Sequence, residues 1–371
     1  MSDYYRITTK DFIIFLKFLL KSKIVDKIIS GTEKKNRYTI SPIAIDSEST
    51  LDNLPLSQLY IYNFSGIDTA SKFLHKQGGA KKEKVAIIGH PCDSRAIVEL
   101  SKRLQVDFNN VFIIIMEDLG IITSNDMRKF LKEKNIDETQ LNGEFLTEDS
   151  IYLKFKDGTI KSFKLGDKID IAQNCSRCFR KKLDSNFDLA ISFISTEPFS
   201  DDLIIRIGSE KGKIAIEQSK IQLKTLDQIS LSKFNEIQNK VIERAKEKRE
   251  KELNEWLNTP DRIKEISKCT MCGMCINSCP VCFCKSCTLQ NQRKEKTIDK
   301  FTYQLTRIAH VGDACVECGK CDQNCPPNLP LSLIFQSLNN YVKDKFNYIT
   351  GTDLNAPIPR SKQVVEKIKY D

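Results

Sequence analysis

No apolar stretch in this 371-residue chain is long enough to cross a bilayer. The longest candidate, Phe12 to Leu20, is interrupted by Lys17. It also lacks the small-residue cleavage site of a secretory leader, so the expectation is a cytoplasmic protein with no membrane span. Histidine is scarce, at three residues. No Ser-His-Asp set and no carboxylate pair suited to general acid–base work stands out. The chain has 58 Lys+Arg against 49 Asp+Glu, a net charge of +9, but the lysines are interleaved with acids along the sequence. That pattern argues against nucleic-acid binding and for a solvated surface or docking to an acidic partner protein. Glycine and alanine are few beside Lys, Ile and Asn, which reflects genome composition more than function. At 40% hydrophobic and 29% charged residues the composition is that of a globular protein, and the length allows two domains.

Cysteine is abundant, with fourteen residues. Without a secretory leader they point to metal ligation in a reducing compartment rather than to disulfides. Eight of them form one pattern twice. Cys269, Cys272, Cys275 and Cys279 are spaced C-x₂-C-x₂-C-x₃-C and followed by Pro280; Cys315, Cys318, Cys321 and Cys325 repeat the spacing before Pro326. Three thiolates on a tight loop can cap three irons of a 4Fe–4S cube, and in two-cluster ferredoxins the fourth comes from the other run. Zinc sites use paired C-x₂-C or Cys with His at longer separations, so two complete runs with trailing proline favour two 4Fe–4S clusters. Such clusters pass single electrons, which makes the chain an electron carrier.

Upstream, the pattern alternates. Lys10 to Ile29 reads as a helix, and Asp68 as the cap of another that runs to Gly78 and Gly79. Val85 to Ile88 and Val111 to Met116 are uninterrupted apolar runs, as expected of strands buried on both faces. Between them Asp93 can cap a helix through Arg103, which completes a βαβ unit. Ile151 to Lys156 and Thr159 to Leu165 flank Asp157-Gly158, a hairpin signal. Leu189 to Ile194 and Leu203 to Ile207 read as two more strands. Residues 1–225 are therefore expected to form one α/β or α+β domain with a mixed sheet. A polar helix, Ser232 to Asn258, lies in a linker, residues 226–261, and reads as solvent-bridging. A ferredoxin-like dicluster domain, residues 262–345, and a tail, 346–371, with an extended Ala356–Arg360 and a mobile Lys-rich end, complete the expected organisation.

Six cysteines remain. Cys92 lies at the end of an expected strand, before a helix N-terminus, a position that favours ligand binding and thiolate formation. Cys175 and Cys178 form an isolated C-x₂-C pair. Together the three suggest a third 4Fe–4S cluster; the alternative is a buried Cys92 with zinc or free thiols at the pair. Cys282, Cys284 and Cys287, between the two runs, could complete that cluster, ligate another, or stand by.

Val85 to Gln105 (VAIIGHPCDSRAIVELSKRLQ) resembles the G-x-PC-x-x-x-A segment of the coenzyme F-420 hydrogenase/dehydrogenase beta-subunit family. Asn174 to Ile194 and Leu203 to Gly212 are similar to its C-x-x-C and I-x-R-T-x-x-G segments, and Cys269 to Leu331 resembles the dicluster domain fused to many members. The resemblance covers most of residues 80–340. It implies an FAD and a 4Fe–4S cluster in the N-terminal domain, and two-electron exchange with a deazaflavin or another two-electron carrier; a ferredoxin is a further candidate partner. Gly89, His90 and Arg206 are candidates for cofactor contacts, although His90 beside Pro91 also reads as structural. The chain departs from the family in three places. Ile7 to Asp11 lacks the Gly-Gly-rich opening associated with flavin, Glu197 to Asp201 replaces a Gly-Trp-Ser-like stretch, and Met116-Glu117-Asp118 stands where members often carry Cys. Asp118 or Glu117 would then replace a thiolate as fourth ligand, or a cysteine such as Cys282, Cys284 or Cys287 would reach in. The expected function is an oxidoreductase subunit, an iron–sulfur flavoprotein that serves a hydrogenase, formate dehydrogenase or heterodisulfide-reductase-like partner. A flavin-free iron–sulfur relay is the alternative.

Overall fold

The apolar runs Val85–Gly89 and Val111–Met116 are buried at every position and lie side by side at the centre of the larger of two sheets. The computed structural model describes residues 4–361. Its strands are β1 (Tyr4–Thr8), β2 (Lys27–Glu33), β3 (Ile40–Ile45), β4 (Val85–Gly89), β5 (Val111–Met116), β6 (Leu141–Leu146), β7 (Ser150–Phe155), β8 (Ile160–Lys164), β9 (Leu189–Ser192), β10 (Asp202–Ile207) and β11 (Lys224–Thr225). The eight-stranded sheet runs β11-β1-β10-β9-β5-β4-β2-β3, and β6-β7-β8 form a separate one. Strands β2, β4, β5 and β9 are parallel, while β3, β10, β1 and β11 add antiparallel edges, so the sheet is mixed as expected.

Several boundaries differ from the sequence reading. The first helix spans Thr9–Lys21 and stops where Lys23 turns left-handed (φ 57°). The β-branched Ile28 and Ile29, which extend its apolar periodicity, belong to β2, where pairing with β3 and β4 outweighs helical patterning. Thr69, not Asp68, caps the helix Ala70–Lys76; Asp68 instead pairs with Lys76 at 2.7 Å. His90 is the N-cap of the helix Pro91–Lys102, and Asp93, three residues in, accepts from its backbone N–H at 3.1 Å. The Asp157-Gly158 hairpin forms with Gly158 at φ 87°, but β6 joins it, so it lies outside the main sheet.

The polar helix spans Gln228–Leu257. It is more than a solvent-bridging strut, because it buries Phe234, Ala245, Arg249 and Leu253. Arg249 is 4% exposed and donates to both oxygens of Glu317 (2.6 and 3.0 Å), to the Gln336 carbonyl and to Asn340. The helix is thereby locked to the C-terminal region, whose apolar core (Ile266, Tyr303, Val316, Leu331, Phe335) encloses the cysteine runs. Downstream, Tyr348 and the Gly351 N–H both donate to buried Glu99 at 2.7 Å, which straps the chain onto the helix carrying Cys92. Arg360 pairs with Asp313 at 2.7 Å. The Lys-rich end of the tail lies outside the described residues.

Candidate iron–sulfur centres

The two four-cysteine runs repeat in backbone as well as spacing. In the first loop Met271 and Gly273 adopt φ 51° and 80°; in the second Glu317 and Gly319 adopt 59° and 69°. Short helices follow at equivalent positions, Met274–Asn277 and Lys320–Gln323. Left-handed residues wind the loop tightly and aim amides inward, as from Met271 to the Cys269 sulfur (3.2 Å). Leu329 donates likewise to Cys325 (3.4 Å).

The fourth cysteine of each run lies with the other run. Burial pushes the Cys318 thiol up to about 12 and Cys315 well up, and the Cys279 charge pushes both further. Burial also raises Cys325, to about 11, with Cys275 and Cys272 adding to it. Cys279, Cys315, Cys318 and Cys321 line one small cavity of about 20 Å³. Among the described residues no three His, Cys, Asp or Glu side chains close around a point as one ion would require. These thiols surround a space instead, which suits a polyatomic cube. Buried cations oppose the thiolate charge. Arg307 is 3% exposed; burial works to lower its pKa, but Cys279, Cys282 and Cys275 hold it raised. Its Nε and Nη1 have no protein acceptor. Lys320 is 1% exposed, donates to the Phe64 carbonyl, and stands beside Cys318 and Cys92.

Cys92, Cys175 and Cys178 meet although 86 positions separate the first from the last (178 − 92). Cys175 neighbours both Cys92 and Cys178. Arg95, 1% exposed, reaches Cys178 at 4.0 Å and leaves Nε and Nη1 unpartnered. The expected thiolate-favouring helix terminus does not prevail at Cys92, because burial raises its pKa well above the ordinary value. Asp118 sits beside Cys175. It accepts from His90 Nδ1 (2.6 Å) and the Gly120 amide (2.7 Å), with Lys181 at 3.9 Å. Burial would raise its pKa, but the hydrogen bond and charge of His90, then Lys181, hold it below the usual value. Glu117 turns away and pairs with Arg206, which also donates to the Leu183 carbonyl and stacks on Phe187. Arg206 is thus committed to a buried ion pair, and Gly89 ends β4 with Asp93 packed against its α-carbon.

This third group abuts the second run. Cys92 neighbours Cys318, and Asn174 donates to the Cys318 carbonyl at 3.0 Å. A Cβ on Gly319 would lie 1.9 Å from Asn174. Cys282, Cys284 and Cys287 line a different cleft, one that none of Cys92, Cys175 and Cys178 lines. Sequence reading missed Arg95, Asn174, Arg307 and Lys320. Only Lys320 carried a local signal, as the third residue of Cys318-Gly319-Lys320-Cys321.

A family model described as a 4Fe-4S dicluster domain matches residues 265–329. The chain is 25% identical over 356 residues to the F420-dependent formate dehydrogenase subunit beta of Methanocaldococcus jannaschii, covering 92% of this chain and 91% of that protein. It is 27% identical over 367 residues to the F420-dependent formate dehydrogenase 1 subunit beta of Methanococcus maripaludis, covering 92% and 90%. A shorter match, 27% over 116 residues, is to an iron-sulfur subunit of the CoB–CoM heterodisulfide reductase of Methanocaldococcus jannaschii (29% of this chain, 60% of that protein). A chain of the F420-reducing [NiFe] hydrogenase complex from Methanosarcina barkeri has the same fold, with a TM-score of 0.55 at 12% identity over 68% of this chain and 91% of that one.

A mixed-sheet domain joined to a dicluster domain defines an iron–sulfur electron-transfer subunit. Over 92% of its length the chain is similar to the beta subunits of F420-dependent formate dehydrogenases.

Proposed function

We propose that the chain relays electrons along three 4Fe–4S clusters in line, between a two-electron carrier and the catalytic subunit of a redox complex. Cys269, Cys272, Cys275 and Cys325 would hold the first cluster, and Cys315, Cys318, Cys321 and Cys279 the second. Cys92, Cys175 and Cys178 would hold the third, with Asp118 as its fourth ligand. The carrying observation is Asn174, whose side-chain amide donates to the Cys175 sulfur at 3.4 Å and to the Cys318 carbonyl at 3.0 Å, so the third and second clusters would share a wall. Arg95, Arg307 and Lys320 would offset cluster charge and favour the reduced states. His90 would keep Asp118 ionised, as a ligand must be. The names of the relatives support a formate dehydrogenase, hydrogenase or heterodisulfide-reductase-like partner.

The two-electron end is assigned to a flavin, FAD, in a cleft of about 620 Å³ bounded by Lys10, Arg37, Lys154, Phe193 and Phe199. Aromatic walls and volume fit a flavin nucleotide, with Lys10 and Lys154 as the cations for its phosphates, since Arg37 is paired with Glu144 and Lys17 with Asp52. A bound flavin would convert two-electron into one-electron transfers. Phe193 packs edge-on against Tyr60 (5.3 Å), whose unpartnered buried hydroxyl lies near Asp118, so this wall leads toward Cys175. One observation favours a flavin-free relay. The first turn of the helix Thr9–Lys21 is capped by Thr8, contains Asp11, and has Thr9 bound to Asp201, so it offers no phosphate cradle.

Anaerobic purification with native partners, followed by metal and flavin analysis, tests the reading. About twelve irons and twelve sulfides per chain are expected, and about four fewer of each in Cys175→Ser. Zinc as the sole metal would overturn the relay; full iron with no releasable flavin would select the flavin-free version.

A further inference from the structure

A cleft of about 900 Å³ opens beside the dicluster domain, lined by eight lysines and arginines and one carboxylate, Asp313. Lys76 pairs with Asp68, Arg103 with Glu99, and Arg360 with Asp313. Lys72, Lys285, Arg293 and Lys294 have no carboxylate at ion-pair distance among the described residues. The cleft floor is thin: Val281, Arg307 and Val311 line it on one side and the Cys279/Cys315/Cys318/Cys321 cavity on the other.

Lys72 comes from the helix Ala70–Lys76, and Lys285, Arg293 and Lys294 from the stretch 285–294 that runs along the same open cleft. They match carboxylates spread over a surface; a compact anion would need them converging on one point. Ile67 and Phe283 add apolar contact area between them. We propose that this cleft docks a small acidic one-electron carrier protein, and that it is the face through which the dicluster domain exchanges electrons with a soluble donor or acceptor. In the exchange one cluster loses an electron and the other gains it; no bond or proton changes partner. The redox meaning rests on the relay reading above, whereas the docking itself does not.

The test uses the full-length anaerobic protein and a small acidic two-cluster ferredoxin as probe, with the dissociation constant read at low and high salt. Binding should weaken with salt. The double variant Lys285→Glu/Lys294→Glu should raise the constant about tenfold or more. Lys213→Glu, on an exposed helix outside the cleft, should leave it unchanged. Absence of binding at low salt, or an equal loss with Lys213→Glu, overturns the proposal. So does full displacement by inorganic pyrophosphate that binds alone with the same salt and variant response, because the cleft is then a small-anion site. Iron content and dithionite bleaching on the same samples separate the two readings. A cluster-free protein that still binds ferredoxin refutes the relay alone, and a cluster-loaded protein that ignores ferredoxin refutes the docking alone.

Discussion

Replacing Arg249 with methionine should be among the most damaging changes in the molecule outside the cysteines. The methionine keeps much of the apolar stem but removes the guanidinium that bridges the long helix Gln228–Leu257 and the Cys315–Cys318 loop. Glu317 is 2% exposed, and after the change it keeps one donor, the Asn339 amide at 2.8 Å. Breaking a buried pair costs about 3–5 kcal/mol, and the surviving hydrogen bond places this case near 3, roughly a 150-fold shift in the folding equilibrium. Arg249→Met/Glu317→Gln should recover most of that, because no buried charge is left alone. Denaturant unfolding of the anaerobic protein, with iron release followed in parallel, provides the measurement. The single variant should release iron at lower denaturant than the double. If Arg249→Met costs no more than about 0.5 kcal/mol, as a surface substitution would, the pair is solvated and the helix is not locked to the cysteine loop.

Cys279→Ala should remove the signal of the cluster held by Cys315, Cys318 and Cys321, and Cys325→Ala that of the other; paramagnetic resonance of reduced samples reads this, and loss within the variant's own run would refute the crossing. Asp118→Cys should retain iron, slow its loss in air and shift the potential of the third cluster, while Asp118→Ala should lose about four irons. Identical iron content and midpoint potential in both variants would remove Asp118 from the site. Gly319→Ala forces an L side chain to φ 69° and against Asn174, at a backbone cost of about 1–3 kcal/mol. It should weaken the magnetic coupling between the second and third clusters at unchanged iron content; unchanged coupling would mean that the Asn174 contact does not set their spacing.

The cysteine runs were legible because their information is local. Spacing and trailing proline specify a loop that can wrap a cube, and the loop needs few distant residues to take shape. Strands β4 and β5 were legible for a similar reason, since a strand buried on both faces has no polar positions to blur its run. The segment Lys10–Ile29 was misread because its apolar residues satisfy helical periodicity through Ile29, while pairing with β3 and β4, invisible in the segment itself, claims Ile28 and Ile29.

Tertiary structure alone decided the rest. Glu117 and Asp118 are adjacent in sequence and equivalent in chemistry, yet alternation along the chain turns one to Arg206 and the other to Cys175. Lysines and arginines that look dispersed along the chain gather on one cleft, because Lys72 on the helix Ala70–Lys76 meets the stretch that holds Lys285 and Lys294 only in the fold. Cys92 and Cys318 are 226 positions apart (318 − 92), and no spacing rule joins them. Sequence by itself determined that the chain carries clusters, since ligand identity and loop winding are short-range. Where the clusters stand relative to one another is a long-range property, set by helix packing and by buried charges such as Arg95, Arg249 and Lys320 that mean nothing until they find their partners.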